Sequence, residues 1–292
     1  MAITKPFQEL LERLGRSQSD PVTICYQGAT QGFRSKTTTV LHADTVVDAL
    51  NDTKVNVWYE INPSTADGRA KAEDVTRLSA LWIDIDFKET GIQSEHNAST
   101  LVELISDLIG VSPTAVVHSG HGLQPYWAID PEEEFTMEMA TGILQRWGGF
   151  VRWVAASQGG SLDSVFDMAR IFRAPGSINF KDASNPVFVD VDFPENWRPL
   201  SIEEINDVLI THGFSSVTTM PSDFEQVSSN EDWEYADADC HWAGNLFSTV
   251  RPITVPKSRH GWLLQQLVVI NAAHRNGCLT ENTRSEERRV GK

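Results

Sequence analysis

The sequence predicts a protein of mixed helices and strands, with one large domain and a smaller helical piece after it. Three observations predict this. Residues 80–88 are rich in β-branched and aromatic residues and from Ile83 onward alternate between apolar and polar positions, the period of a strand with two unlike faces. Several longer segments instead carry apolar residues at helical spacing. Residues 215–240 are rich in Ser, Thr, Asp and Glu and short of aliphatic residues, which reads as an acidic flexible linker.

Taken in order, residues 6–14 place Phe7, Leu10, Leu11 and Leu14 on one helical face behind Pro6, a residue suited to a first turn. Residues 22–26 and 55–59 read as strands, and 44–50 between them as a helix. Asn62-Pro63-Ser64 is a turn, followed by a polar loop carrying Arg69 and Lys71. The strand at 80–88 comes next, then a helix over 100–109 with Leu101, Leu104, Ile105 and Leu108 on one side. Residues 114–118 and 123–129 read as strands joined by a glycine-rich turn, and Pro125 suggests that the second lies at an edge or a bulge. Residues 135–156 form a long helix with Met139, Ile143, Trp147, Val151 and Val154 as its buried stripe and Gly148-Gly149 as a weak point. A strand at 187–191 precedes Ser201-Ile202-Glu203-Glu204, a capping box that opens a helix to Ile210.

Composition narrows the function classes. The 292 residues include 9 Trp and 13 Phe, enough for a substantial core. No apolar run has the length of a membrane span, and the first residues lack a signal-peptide pattern, so no membrane partner is expected. Three widely spaced cysteines, Cys25, Cys240 and Cys278, fit a reduced cytoplasmic setting better than a disulfide scaffold. The net charge of −16 argues against non-specific nucleic-acid binding by the whole surface. Seven acidic residues and no Lys or Arg lie between Met220 and Cys240, so global charge says little about any one site.

Three stretches carry chemistry. On the strand at 80–88, Leu81, Ile83, Ile85 and Phe87 point one way and Trp82, Asp84, Asp86 and Lys88 the other. Asp84 and Asp86 therefore project side by side, about 6.6–7 Å apart along the chain. Such a pair either binds a hard cation, Mg²⁺ or Mn²⁺, or is a solvated strand face. In His118-Ser119-Gly120-His121-Gly122, the glycines allow a backbone to approach a phosphate, or simply make a hairpin. Residues 163–181 combine Asp163 and Asp167 with Arg170 and Arg173, a Pro-Gly turn, Asn179 and Lys181. Arg170 and Arg173 would share a helical face, gripping phosphates or pairing with the nearby carboxylates.

The order and spacing of the three stretches resemble the catalytic core of the archaeo-eukaryotic primase superfamily, specifically the primase-polymerases of phages and plasmids. Asp84 and Asp86 match its first motif and Ser119-Gly120-His121 its second. Asp167 through Lys181 matches a third that runs Arg-x-x-Arg-x-Pro-Gly-Thr/Ser-x-Asn-x-Lys. The resemblance covers roughly residues 22–191. Many phage members read Ser-Gly-x-Gly-Leu-His, where this chain has Gln124 in place of the last His; His121 is the favoured equivalent. Asp163 is the alternative third carboxylate.

The resemblance implies an α+β fold: a catalytic sheet of the RNA-recognition-motif type flanked by helices, with an N-terminal α/β unit. It implies template-directed DNA primase and polymerase activity by two-metal catalysis. Asp84, Asp86 and Asp167 would hold Mg²⁺ or Mn²⁺. Ser119, Gly120, His121, Gly122, Arg170, Arg173 and Lys181 would bind nucleotide. Single-stranded DNA template and nucleoside triphosphates would be partners, with a replicative helicase domain in cis or in trans, in the host cytoplasm. The alternatives are a metal-dependent nuclease and a non-catalytic replication-initiation module that binds DNA.

The expected organisation is a catalytic domain over 1–214, the linker 215–240, the start of a small helical domain at 241–283 and a non-native tail at 284–292. Lys257-Ser258-Arg259-His260-Gly261-Trp262 resembles the start of the helical domain of phage primase-helicases. The sequence contains no P-loop, and Cys240-His241 with Cys278 lacks the close pair that a zinc site needs. Limited proteolysis should therefore cut first within 215–240 and leave a stable core ending near residues 211–214. Early cleavage within residues 22–191, read by mass spectrometry, would contradict this organisation.

Overall fold

A computed structural model describes residues 5–29, 32–89 and 91–214. The linker, the helical domain, the tail and the cysteine–histidine positions expected beyond residue 214 lie outside the described residues. In chain order the elements are α1 (Pro6–Arg13), β1 (Pro21–Gln27), β2 (Arg34–Thr39), α2 (Ala43–Asn51), β3 (Asn56–Glu60), β4 (Ala80–Trp82), β5 (Ile85–Asp86), α3 (Glu95–Ile109), β6 (Ala115–His118), β7 (Gly122–Ala128), α4 (Met137–Ser157), β8 (Ile171–Arg173), β9 (Ile178–Asn179), β10 (Val187–Phe188), β11 (Asp190–Asp192) and α5 (Ile202–Thr211).

Two larger antiparallel sheets result, with β9 and β10 forming a separate two-stranded one. The first has the order β2-β1-β3-β8 and carries α1 and α2; the second runs β11-β6-β7-β4, with β5 also paired to β7. The chain is thus α+β, with an N-terminal α/β unit and a second sheet built by the succession β4/β5–α3–β6–β7–α4. α1 starts at Pro6, and the Asp44 carboxylate of α2 accepts hydrogen bonds from the Phe7 and Gln8 N–H groups at 3.1 and 2.8 Å. That satisfies donors a helix start leaves open and ties the two helices together. α5 keeps its predicted capping box: Ser201 Oγ accepts from Glu204 N at 3.1 Å, and the Glu204 carboxylate accepts from Ser201 N at 2.9 Å.

The segment 80–88 is not one strand. β4 and β5 pair with β7 in one continuous register, Trp82 opposite Tyr126 and Ile85 opposite Leu123, but Ile83 falls opposite Pro125. Ile83 N donates to Pro125 O at 3.3 Å; Pro125 has no N–H to return the bond, so the ladder lapses there. The expectation that Pro125 marks an edge is corrected on the same grounds. β7 is interior, between β6 and β4/β5, and the missing donor is tolerated because it faces the break in its neighbour.

The core lies on both sides of the second sheet. On one, Trp127, Trp147 and Phe150 pack in series at 5.4 and 5.7 Å between ring centres. On the other, Trp82 and Tyr126 meet Phe172 of the first sheet edge-on, at 6.3 and 6.0 Å. Trp82 is pinned three ways: Nε1 donates to Val165 O at 3.0 Å, its carbonyl accepts from Trp147 Nε1 at 2.9 Å, and its ring meets Phe172.

Other expectations change as well. Met139 is 52% exposed and leaves the buried stripe of α4, which Ile143, Trp147, Val151 and Val154 keep. α4 runs unbroken through Gly148-Gly149, and a side chain at Gly148 would collide with the Phe166 ring, so the glycine there is a packing requirement. The strand at 187–191 divides at buried Val189, whose N–H donates to Ser177 O at 2.8 Å, so β10 joins β9 while β11 joins β6. β2 has no apolar alternation, Arg-Ser-Lys-Thr-Thr-Thr, and its strand character comes from pairing with β1.

Gly122 sits opposite Asp86, and a Cβ there would run into the Ile85 carbonyl oxygen. Gly122→Val should lower stability by at least about 2 kcal/mol, the scale of an overpacked core position. Urea denaturation reads this; an unchanged midpoint would show that β5 and β7 can separate without cost.

Candidate active site

A cleft opens where β8 and Trp58 of β3 face the β4–β5 segment and the turn before β7. Asp84 occupies the break between β4 and β5. The register places it opposite Gln124, on the same side of the sheet, and Gln124 Nε2 donates to Asp84 Oδ1 at 3.0 Å. Burial raises the Asp84 pKa to about 6. The Gln124 hydrogen bond opposes that rise, the Asp86 and Asp163 charges add to it, and Arg170 opposes it. Asp86, two residues on, lines the same cleft.

The facing wall is cationic. Arg170, Arg173 and Lys181 all line the cleft. The two arginines do not share a helical face: Arg173 is on β8 opposite Trp58, and Arg170 directly precedes that strand. They meet at the cleft because β8 is the free edge of its sheet and its whole length borders the opening. The Arg173 guanidinium lies 4.5 Å from the Trp58 ring centre, and its Nη1 donates to Asn56 Oδ1 at 2.7 Å. Burial lowers its pKa to about 10, with Asp84 acting the other way. Asn56 Oδ1 also accepts from Phe180 N at 2.9 Å, which joins β3 to the segment leading to Lys181.

The glycine turn is held internally. Ser119 N and Oγ both donate to Gly122 O, at 3.0 and 3.1 Å, so the hydroxyl is used within the turn. Gly120 has a φ of +91°, and a Cβ there would press on Val187 at 2.9 Å. Both glycines thus have packing reasons to lack a side chain. Asn179 Nδ2 donates to Ser119 O at 2.7 Å, and Lys181 N donates to Asn179 Oδ1 at 2.9 Å, linking the third stretch to the second. His121 borders the cleft, with Nε2 shielded from solvent and without a hydrogen-bond partner.

Neither candidate third carboxylate lines the cleft. Asp167 is 53% exposed and forms an ion pair with Arg170, three residues along the turn that leads into β8. Asp163 pairs with Lys88 at 2.8 Å, and its charge is felt by Asp84. Among the described residues, no three His, Cys, Asp or Glu side chains gather as a ready-made metal cage. The site therefore brings together Asp84, Asp86, Ser119, His121, Arg170, Arg173 and Lys181, and leaves Asp167 outside. Trp58 and Asn56, which fix Arg173, carried no sequence signal: the strand around them reads as ordinary core, and only its pairing with β8 gives them a role.

With this geometry in hand, comparisons with known proteins are informative about the fold. No protein-family model matches the chain. A replication protein of Clostridium perfringens is 25% identical over 129 residues, which is 43% of this chain and 30% of that protein. The chain thus matches less than a third of that relative's length. Among solved structures, the primase-polymerase AEP domain of cyanophage S-2L superposes with a TM-score of 0.50 at 12% identity, over 70% of this chain and 96% of that one. The primase RepB′ gives a TM-score of 0.46 at 11% identity over 71% of this chain and 60% of that one. The fold is similar to that of the cyanophage primase-polymerase AEP domain.

A pH dependence follows from Asp84. Its pKa is raised on folding, so between about pH 4 and pH 6 the folded chain holds a proton the unfolded chain has released, and stability falls as pH rises through that window. Asp84→Asn removes the cost of ionisation. The variant should gain up to about 3 kcal/mol at pH 7.5 without divalent ions, and little at pH 4. Urea denaturation of both proteins at the two pH values tests this; an equal difference at both would refute the raised pKa.

Proposed function

We propose that the chain is a template-directed nucleotidyltransferase that makes and extends primers on single-stranded DNA during phage or plasmid replication. The observation that carries this reading is the division of the cleft into an acidic wall, Asp84 and Asp86, and a cationic wall, Arg170, Arg173 and Lys181, on a primase-polymerase fold. A nuclease needs the acidic wall alone. A row of cations opposite it suits the phosphates of a nucleoside triphosphate.

The acidic wall fits a divalent cation. Asp84 resists ionisation in its buried setting beside Asp86 and Asp163, and a bound cation would relieve that repulsion. Mg²⁺ and Mn²⁺ are commonly held by one or two carboxylates with substrate phosphates completing the shell, which suits a site without a protein cage. Bound there, such ions would acidify the attacking 3′-hydroxyl and neutralise the departing pyrophosphate. Gln124 fixes the Asp84 carboxylate through Oδ1 and leaves Oδ2 for the ligand. Arg173, immobilised by Trp58 and Asn56, would meet the triphosphate with its remaining donors, and Lys181 would add a point charge. His121 Nε2, with no protein partner, would pair with a phosphate oxygen.

Asp167 is the third carboxylate implied by the family resemblance. Joining Asp84 and Asp86 would require it to leave Arg170, which would also release that guanidinium to phosphate. Asp163 is the alternative, placed where Asp84 feels its charge. Single-stranded DNA, nucleoside triphosphates and a helicase domain in cis or in trans are the proposed partners, in the cytoplasm of a bacterial host.

Incorporation of labelled nucleotides on primed and unprimed single-stranded DNA, with Mg²⁺ or Mn²⁺, tests the proposal. Asp84→Asn should abolish incorporation while oligonucleotide binding in chelator persists. Arg173→Lys, which keeps the charge but loses the planar fork and the stack on Trp58, should raise the nucleotide KM about tenfold. Wild-type incorporation by Asp84→Asn would end the mechanism.

A further inference from the structure

Outside the cleft, the surface of the first sheet carries a feature the proposed chemistry does not use. Phe33, immediately before β2, is 45% exposed, although it is one of the largest apolar side chains in the chain. Its ring centre lies 6.2 Å from that of Trp58, with the planes inclined by 35°. Trp58 lines the cleft and has the Arg173 guanidinium 4.5 Å from its centre. Three flat groups, Arg173, Trp58 and Phe33, therefore run from the cleft to the open surface. The strand beside Phe33 is free of acids in an acidic protein: there is no Asp or Glu between Asp20 and Asp44, and the register sets Ser35, between Arg34 and Lys36, on the sheet face that carries Trp58.

An exposed aromatic ring next to a half-buried one, at the mouth of a cationic cleft, is the arrangement on which unpaired nucleobases stack. Such stacking is tolerant of sequence, because every base has a π-face. A folded peptide or a second copy of this chain would need a wider apolar patch than two rings, and an acidic protein surface would oppose a second copy carrying the same net charge of −16.

We propose that Phe33 and the outer part of Trp58 form a stacking platform for an unpaired base of the single-stranded template as it approaches the cleft, in line with Arg173 at the inner end. The platform rests on the nucleotidyl-transfer reading for its purpose. Its own evidence is the exposed Phe33 ring beside half-buried Trp58, their continuity with the cleft and the acid-free strand next to them.

Binding of a fluorescein-labelled single-stranded oligo(dT) to the full chain in chelator tests the platform separately from the chemistry. Phe33→Ala should weaken binding roughly five- to tenfold, and Phe33→Trp should restore it. The salt dependence of Phe33→Ala should match wild type, because a stacking ring releases no counterions. With an abasic strand of the same length, Phe33→Ala should bind as wild type does. Equal affinity of Phe33→Ala and wild type for oligo(dT), or the same loss on the abasic strand, would overturn the platform. Nucleotide incorporation by the wild-type chain, measured in parallel, reports on the underlying reading. Its absence with a normal Phe33 effect would sink the polymerase and leave the platform as a single-strand binding site.

Discussion

The pairing of residues 80–86 with β7 is the constraint on which the site depends. One unbroken register sets Trp82 against Tyr126, Asp84 against Gln124 and Asp86 against Gly122. A slip of one residue would turn both carboxylates toward the helices and bring Ile85 into the cleft. The register is held at its upper end by Trp82, pinned between Val165, Trp147 and Phe172, and at its lower end by Gly122, where the backbones approach too closely for a side chain. Between them, Pro125 removes one ladder bond and leaves Asp84 in a short irregular stretch, with its side chain facing the cleft.

Electrostatics follow from that placement. Asp84 is taken out of water beside other acids and is only partly compensated by a neutral donor, Gln124. Across the cleft, Arg173 is also removed from water and compensated by a ring face and an amide oxygen. Each wall holds charge that the fold alone does not neutralise fully. A ligand carrying both signs, a divalent cation with a polyphosphate, would complement both walls at once.

Residues that read as functional in sequence often have a structural task as well. Ser119 spends its hydroxyl on the turn, and Gly120 and Gly122 are demanded by Val187 and Ile85. Asn179 bridges two of the motifs through Ser119 and Lys181. The motifs lie together because such bonds knit β9, the glycine turn and β3 into one frame. Substitution at these glycines therefore reads on folding before it reads on ligand binding.

The sequence by itself determined the elements whose information is local. Helical spacing located α1, α4 and α5, the capping box located the start of α5, and the alternation at 80–88 put Asp84 and Asp86 on one side. The order of three short stretches was enough to anticipate the fold. Tertiary structure decided what depends on partners far away in the chain. β2 is a strand because β1 pairs with it, Pro125 interrupts a neighbour and not its own strand, and Arg170 and Arg173 converge through a sheet edge in place of a helix. Trp58 and Asn56 hold Arg173 from more than a hundred residues away. The pairing of Asp167 with Arg170, three residues on, is by contrast local and was one of the two roles the sequence offered for that arginine. Periodicity reports which side of an element is buried, but the identity of the group across the gap is set by packing and pairing, which no local pattern encodes.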